Sequence, residues 1–365
     1  MAWFCAARQR AAFLFDPALR GAGRNPLISP VCLRRKPVKK AEYAERGPVP
    51  QDVITVVDLV LPPLAAGQVL IEVLAAPINP SDVLTLTGQY GLLPPLPAVG
   101  GNEGVGRVVG LGSGVEPSWS GRAVLLPVGS GTWRTHMIAE AKGLIALPDG
   151  VDPQQLSMLA INPPTALLML SDFVTLQPGD WVIQNAANSA VGSYLIGIAK
   201  ARGLRCVNIV RRESAVDAVK KAGGDIVLVD GDKLAKRVAQ ATDAAAIKLG
   251  IDAVGGAATD NLARCLAEGA TLVNYGAMSG EPCQISPASF VFRDITLRGF
   301  WLSQWFRRAL PQRRSEVFAE IGGLIASGTL RAPVQATYPL ARIKEAVAAA
   351  AAGEREGKIL LLPQA

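Results

Sequence analysis

The chain of 365 residues contains a single histidine, His136, and five scattered cysteines, Cys5, Cys32, Cys206, Cys265 and Cys283, with no C-x-x-C pair among them. The first scarcity excludes a histidine-built metal centre, and the second leaves neither a thiolate pair for structural zinc nor a disulfide framework. A reducing compartment follows, and His136 reads as a partly exposed structural residue. Long apolar runs are missing too. None approaches the roughly 18 residues that span a bilayer, and the Ala-rich stretch at 346–352 is short and flanked by charges, so no membrane partner is expected.

Acidic residues are almost absent from the first forty positions, where nine lysines and arginines face Asp16 alone. The net charge of +7 is therefore concentrated there, which leaves 28 basic against 29 acidic residues in the rest. A neutral body offers no basic face, so nucleic acid is not an expected partner. An Arg-rich, acid-poor N-terminus looks like a mitochondrial transit peptide. Without serine enrichment it reads better as an over-long translation of a bacterial gene whose true start is Val38, which implies a cytoplasmic protein with a mitochondrial one as the alternative. Residues 1–38 are set apart from the fold on either reading.

Glycine is missing where a dinucleotide fingerprint would have it. Ala187-Asn-Ser-Ala-Val-Gly192 retains only the last glycine of G-x-G-x-x-G. Its surroundings restore the reading: Trp181–Asn185 is a short apolar strand, Ser193–Ala201 has helical spacing, Gly203 stops it, and Arg205–Val210 is a second strand. That order is a dinucleotide-binding βαβ unit, with the pyrophosphate at the helix N-terminus. No Asp or Glu follows at the ribose position. Arg211 and Arg212 stand there instead, and guanidinium groups suit a 2′-phosphate, which points to NADPH. An ordinary crossover with solvated arginines is the bland alternative.

Upstream, residues 39–149 read as short strands, such as Val53–Val60 and Val69–Leu74, broken by frequent glycine: a compact β-barrel-like unit. Pro163 and Pro164 open a helix. Downstream, strands at 226–229, 249–254, 271–275 and 295–298 alternate with helices at 215–222, 234–241 and 261–266, which predicts a doubly wound parallel sheet. Residues 295–302 are expected to form its edge strand, inviting a homodimer. The tail, with a strand near Val334, an Ala-rich helix and a last strand at 358–362, is expected to return to the barrel.

Asn79-Pro-Ser-Asp82, Gly88-Gln-Tyr-Gly-Leu-Leu93, Pro97-Ala-Val-Gly-Gly-Asn-Glu-Gly104, the loop Gln184–Gly192 and Gly299-Phe-Trp-Leu-Ser-Gln-Trp305 resemble the mitochondrial-type 2-enoyl thioester reductases, a zinc-free branch of the medium-chain dehydrogenase/reductase superfamily. The resemblance covers residues 39–363. It implies an α/β fold with a GroES-like barrel catalytic domain at 39–158 and 303–365, and an NADPH-binding Rossmann domain at 159–302. It implies no metal: Asn79, Asn102 and Asn162 align with the Cys, His and Cys of zinc-binding relatives, and neutral amides are poor zinc ligands. The implied reaction is reduction of the C2=C3 bond of a trans-2-enoyl thioester, carried by CoA or acyl carrier protein, in fatty acid synthesis.

Residue roles come with the resemblance. Tyr90 is implied as the proton donor, since a phenol ordinarily keeps its proton at neutral pH. Asn162 lies toward the nicotinamide; Asn188, Ser189, Ala190 and Val191 form the phosphate loop; Arg211, Arg212 and Glu213 form the 2′-phosphate segment. Glu213 departs from the basic residue often found there. Tyr275, Gly276, Ala277 and Met278 lie under the dinucleotide, Phe300, Trp301 and Leu302 line the cleft, and Lys358 completes the set. Arg307, Arg308, Arg313 and Arg314 read as a solvated face or as a dock for phosphates or an acidic carrier protein. The alternatives are a quinone or alkenal reductase of the same superfamily, and a non-catalytic NADPH-binding protein.

Overall fold

A computed structural model describes residues 38–352 and 357–365. The expectations for residues 1–37 lie outside these. Strands β1 (Lys39–Tyr43), β2 (Ile54–Asp58), β3 (Gln68–Ile78), β4 (Ala98–Val99), β5 (Val105–Leu111), β6 (Ala123–Leu125), β7 (His136–Glu140) and β8 (Ile145–Ala146) build the N-terminal part, with one helix, α1 (Pro80–Leu86), after β3. In β3 alternate residues are buried, Val69, Ile71 and Val73 among them, because its pleat faces a core on one side. Close turns hold the unit together. A Cβ at Gly100 would lie 2.2 Å from the Trp133 ring, so only glycine lets that buried indole close over the chain.

Two short helices, α2 (Pro153–Leu156) and α3 (Asn162–Ser171), lead to six parallel strands: β9 (Trp181–Gln184), β10 (Arg205–Val210), β11 (Ile226–Val229), β12 (Ile247–Asp252), β13 (Thr271–Asn274) and β14 (Thr296–Gly299). Their order is β11-β10-β9-β12-β13-β14. The crossovers are α4 (Ala190–Ala201), α5 (Val216–Lys221), α6 (Leu234–Ala241), α7 (Ala257–Ala263) and α8 (Pro287–Phe290). Beyond β9 the chain first moves toward one edge and then to the other, so the sheet's switch point lies between β9 and β12, where open α/β sheets place ligands. Apolar clusters cover both faces. One joins α3 and α4 to the tail, and the other packs Val207, Ile209, Leu262 and Leu272 together.

The tail comprises α9 (Leu302–Arg308), α10 (Pro311–Ala326), β15 (Val334–Tyr338), α11 (Ile343–Ala351) and β16 (Lys358–Leu361). It returns to the first sheet as expected: β16 runs antiparallel to β3 with Ile359 opposite Ile78, and the seven-stranded sheet has the order β15-β16-β3-β5-β6-β8, with β7 on β3. Lys358 is thereby set beside Asn79.

The expected edge strand is shorter than the sequence suggested. β14 ends at Gly299, the Phe300 N–H donates to Asn274 O at 2.9 Å, and Trp301, still extended at φ −131°, begins a helix instead of continuing the strand. Leu302, Trp305 and Phe306 sit at helical spacing and face the core, which outweighs their β propensity. Helix α7 likewise begins four residues ahead of its expected start, because Gly256 at φ +58° turns the chain there. Among the described residues no helix is long and apolar enough to cross a membrane.

Candidate active site

Asn79 stands where β3 ends and α1 begins. Pro80 takes the first helical position, and Asp82 reaches back to accept the Asn79 backbone N–H at 2.7 Å, which caps the helix. The Asn79 amide is thus turned inward. Its Nδ2 donates to Glu103 Oε1 at 2.7 Å, and its Oδ1 accepts from Asn162 Nδ2 at 3.0 Å and from the Lys358 ammonium. Glu103 Oε2 also accepts the Ala160 N–H at 3.1 Å, and Asn102 Nδ2 donates to Asp82 Oδ1 at 2.8 Å. The first sheet, the β4–β5 loop, the start of α3 and the last strand therefore meet in one buried polar cluster. Asn79 and Asn162 touch directly, while Asn102 joins through Asp82.

Two carboxyl groups and one ammonium share this site nearly out of water, Glu103 at 0% exposure and Lys358 at 5%. Burial pushes Asp82 up to about 6 and Glu103 up to about 7, with the Lys358 charge and the amide donors pulling the other way. Among the described residues no three His, Cys, Asp or Glu are grouped so as to hold a metal ion. The Asn79 and Asn102 amides donate to the two carboxyl groups, and the Lys358 charge acts on both from beside Asn79.

Tyr90 lies half-buried in the loop after α1. The Trp301 indole N–H donates to its oxygen at 3.1 Å, and the two rings meet edge to face with centroids 6.3 Å apart. An oxygen that accepts from the indole still has its own O–H to donate, so the contact positions the phenol without consuming its proton. On the outer side, the Arg307 guanidinium lies 5.0 Å above the Trp301 ring. Gly91 follows Tyr90 beside the same indole, and a Cβ there would meet the ring in ordinary contact at 3.8 Å. Residues 211 positions apart in sequence are thus brought together.

At the sheet's switch point, Ser189 caps α4 and accepts the Gly192 N–H at 3.1 Å. Gly192 cannot be larger, because a Cβ would lie 2.5 Å from Ala187 O. Small side chains, a left-handed Ala186 at φ +47° and a helix N-terminus make a cradle that fits a phosphate group. Ser189 is also a partner of Tyr275, whose phenol is pushed up by burial, and a Cβ at Gly276 would meet Ala253 O at 2.7 Å. Ala277 and Met278 are exposed beyond it. Arg211 and Glu213 are exposed after β10 and Arg212 is half-buried. Phe300 packs on Phe173, whereas Leu302 is buried in the main core and serves packing.

Sequence reasoning missed the carboxylate that braces this cleft. Asp252, fully buried at the end of β12, accepts from Asn185 Nδ2 (2.6 Å), the Val254 N–H (2.8 Å), the Gly255 N–H (3.1 Å), Thr259 Oγ1 (2.7 Å) and Asn274 Nδ2 (3.0 Å). It ties the ends of β9, β12 and β13 to the start of α7. The available signal was an aspartate closing an apolar strand.

Known proteins share this fold. The profile described as "Alcohol dehydrogenase GroES-like domain" matches residues 65–149, and that described as "Zinc-binding dehydrogenase" matches residues 190–320. The mitochondrial enoyl-[acyl-carrier-protein] reductase of Rattus norvegicus is 40% identical over 318 residues, covering 86% of this chain and 85% of that one. Among solved structures, the Etr1p/NADP/crotonyl-CoA complex superposes with a TM-score of 0.81 at 26% identity, covering 89% of this chain and 99% of that one. A putative NADPH:quinone reductase from Bacillus thuringiensis also superposes with a TM-score of 0.81, at 28% identity over 89% of this chain and 98% of that one.

Proposed function

The chain belongs to the enoyl thioester reductases of the medium-chain dehydrogenase/reductase superfamily, and from that premise we propose that it reduces the C2=C3 bond of trans-2-enoyl thioesters with NADPH, Tyr90 supplying the proton. The observation that carries this reading is the Trp301 indole donating to the Tyr90 oxygen at 3.1 Å, which leaves a phenolic proton held in place for donation. When bound, NADPH supplies the hydride that adds to C3. Ser189 and its small neighbours would hold the pyrophosphate, and Arg211 and Arg212 the 2′-phosphate. The carboxamide of Asn79, held by Glu103 and Lys358, and that of Asn162, which donates to it, would order the nicotinamide end. Tyr90 donates as negative charge develops toward the thioester oxygen, and the proton ends at C2.

Crotonyl-CoA in the superposed Etr1p complex supports a CoA thioester as substrate, and the relatives' name supports an acyl carrier protein and a role in fatty acid synthesis. That name also supports a mitochondrial location over the bacterial cytoplasm. The likeness to a quinone reductase is the reason for the decisive test. With saturating NADPH, crotonyl-CoA should be turned over with a higher kcat/KM than a simple quinone, and the opposite ranking would overturn the thioester reading. Among the described residues strand β14 pairs only with β13, and it is largely exposed, which supports a homodimer built across that edge. Light scattering at micromolar concentration should give twice the chain's 38.2 kDa, and a monomeric mass would refute it.

A further inference from the structure

Between α4 and α5 lies a cavity of about 90 Å³ lined by Asn188 and Ser193 at the start of α4, Arg212 and Ser214 after β10, and Arg331 and Pro333 from the segment joining α10 to β15. Arg331 is far from the βαβ unit in sequence, so the packing that brings it there decides what it can do. The segment lies on α4 at a glycine: a Cβ at Gly197 would come 2.6 Å from Leu330 Cδ2 and 3.3 Å from Thr329 O. On either side of Arg331, Leu330 and Ala332 are buried at 2% and 1% exposure. The Gln155 side chain then clamps the Ala332 backbone twice, accepting its N–H at 3.0 Å and donating to its C=O at 3.0 Å. The backbone of Arg331 is fixed on both sides, while its side chain is exposed on the cavity wall that also carries Arg212.

We propose that Arg331 is a further binding residue for the adenosine 2′-phosphate, supplied from outside the dinucleotide-binding unit. The inference deepens the NADPH reading above and rests on it. A phosphate monoester carries nearly two negative charges at neutral pH, and planar guanidinium groups bind it through paired, charge-assisted hydrogen bonds. The turn after β10 brings Arg211 and Arg212 but also Glu213, whose carboxylate opposes a phosphate. A guanidinium from the opposite wall offsets that charge. Asn188, Ser193 and Ser214 add neutral donors around the same cavity. The arrangement also makes NADPH a link between the parallel sheet and the tail segment that leads into β15.

The test is calorimetric titration of the full chain with adenosine 2′,5′-bisphosphate and with 5′-AMP, which differ only in the 2′-phosphate. Arg331→Gln should weaken the bisphosphate by roughly 10- to 100-fold, the loss of one charge-assisted contact, and leave 5′-AMP unchanged, which also shows that the variant is folded. Arg331→Lys should recover part of the loss, because the charge returns without the planar fork. Wild-type affinity in Arg331→Gln, alongside a loss in the joint Arg211→Gln and Arg212→Gln variant, would overturn the role of Arg331 and leave the NADPH reading standing. A wild-type chain that binds both nucleotides equally would overturn both.

Discussion

The two ends of the cleft are built on opposite principles. At the substrate end, Asn79, Asp82, Glu103, Asn162 and Lys358 are almost wholly buried and joined by side-chain hydrogen bonds, and Tyr90 is held by Trp301. At the end proposed to hold the adenosine, the charged groups after β10 stand at or near the surface, apart from the small-residue loop that follows β9. A buried, interlocked cluster fixes geometry, which matters when charge moves during a reaction. Exposed guanidiniums supply attraction, which matters when an anion binds. Changes at the first end should therefore appear in turnover, and changes at the second in affinity, as the arginine variants above would read them.

The sharpest way to break that contrast is Tyr90→Phe. On the proposed reading Tyr90 is a general acid that acts only as charge develops, and its removal should lower kcat for crotonyl-CoA by about 10²- to 10⁴-fold. Affinity for NADPH should hardly change, because on that reading the phenol contributes to the transition state and not to holding the dinucleotide, so kcat and kcat/KM fall together. The Phe ring keeps its edge-to-face packing on Trp301 and loses only the 3.1 Å acceptor. Steady-state profiles of the two proteins decide it. Retention of more than about half the wild-type rate would make Tyr90 a packing residue and place the proton donor elsewhere.

The same contrast explains what could be read from the chain. The βαβ unit was legible because it is local: strand, small-residue loop and helix follow one another within Trp181–Val210, and periodicity reports such neighbours. The position of Arg211 and Arg212 directly after β10 was legible for the same reason. The buried cluster was not, because it is assembled by β16 returning beside β3 and places Lys358 against Asn79 across 279 positions. Only family resemblance pointed to Lys358, and nothing in the spacing of Asp82 and Glu103 marked them as neighbours of one ammonium. Asp252 escaped because its partners, Asn185, Thr259 and Asn274, come from three separate segments. The run from Phe300 to Leu302 read as strand because aromatic and branched residues favour it locally, while the core it meets as α9 is made by α3 and α10.

A smaller effect probes the buried end itself. Burial raises Asp82 from 3.8 to about 6 and Glu103 from 4.5 to about 7, so between roughly pH 4 and pH 7 the folded cluster retains protons that the unfolded chain has released. Where the native state binds more protons, stability falls as pH rises. This contribution is complete below the unfolded values and is lost as pH passes through the folded ones. The melting temperature of the wild type should therefore decline from pH 5 to pH 8. In Glu103→Gln the group cannot titrate. The variant should be less stable at every pH, because one end of its amide must offer Nε2 where Glu103 accepts either the Asn79 Nδ2 or the Ala160 N–H. Its decline with pH should nevertheless be shallower by the share that Glu103 contributed, with Asp82 and the Lys358 ammonium still present. Differential scanning calorimetry across that range separates the slope from the offset. A variant whose melting temperature falls as steeply as the wild type would mean that Glu103 stays ionised throughout, with the Lys358 charge outweighing the cost of burial.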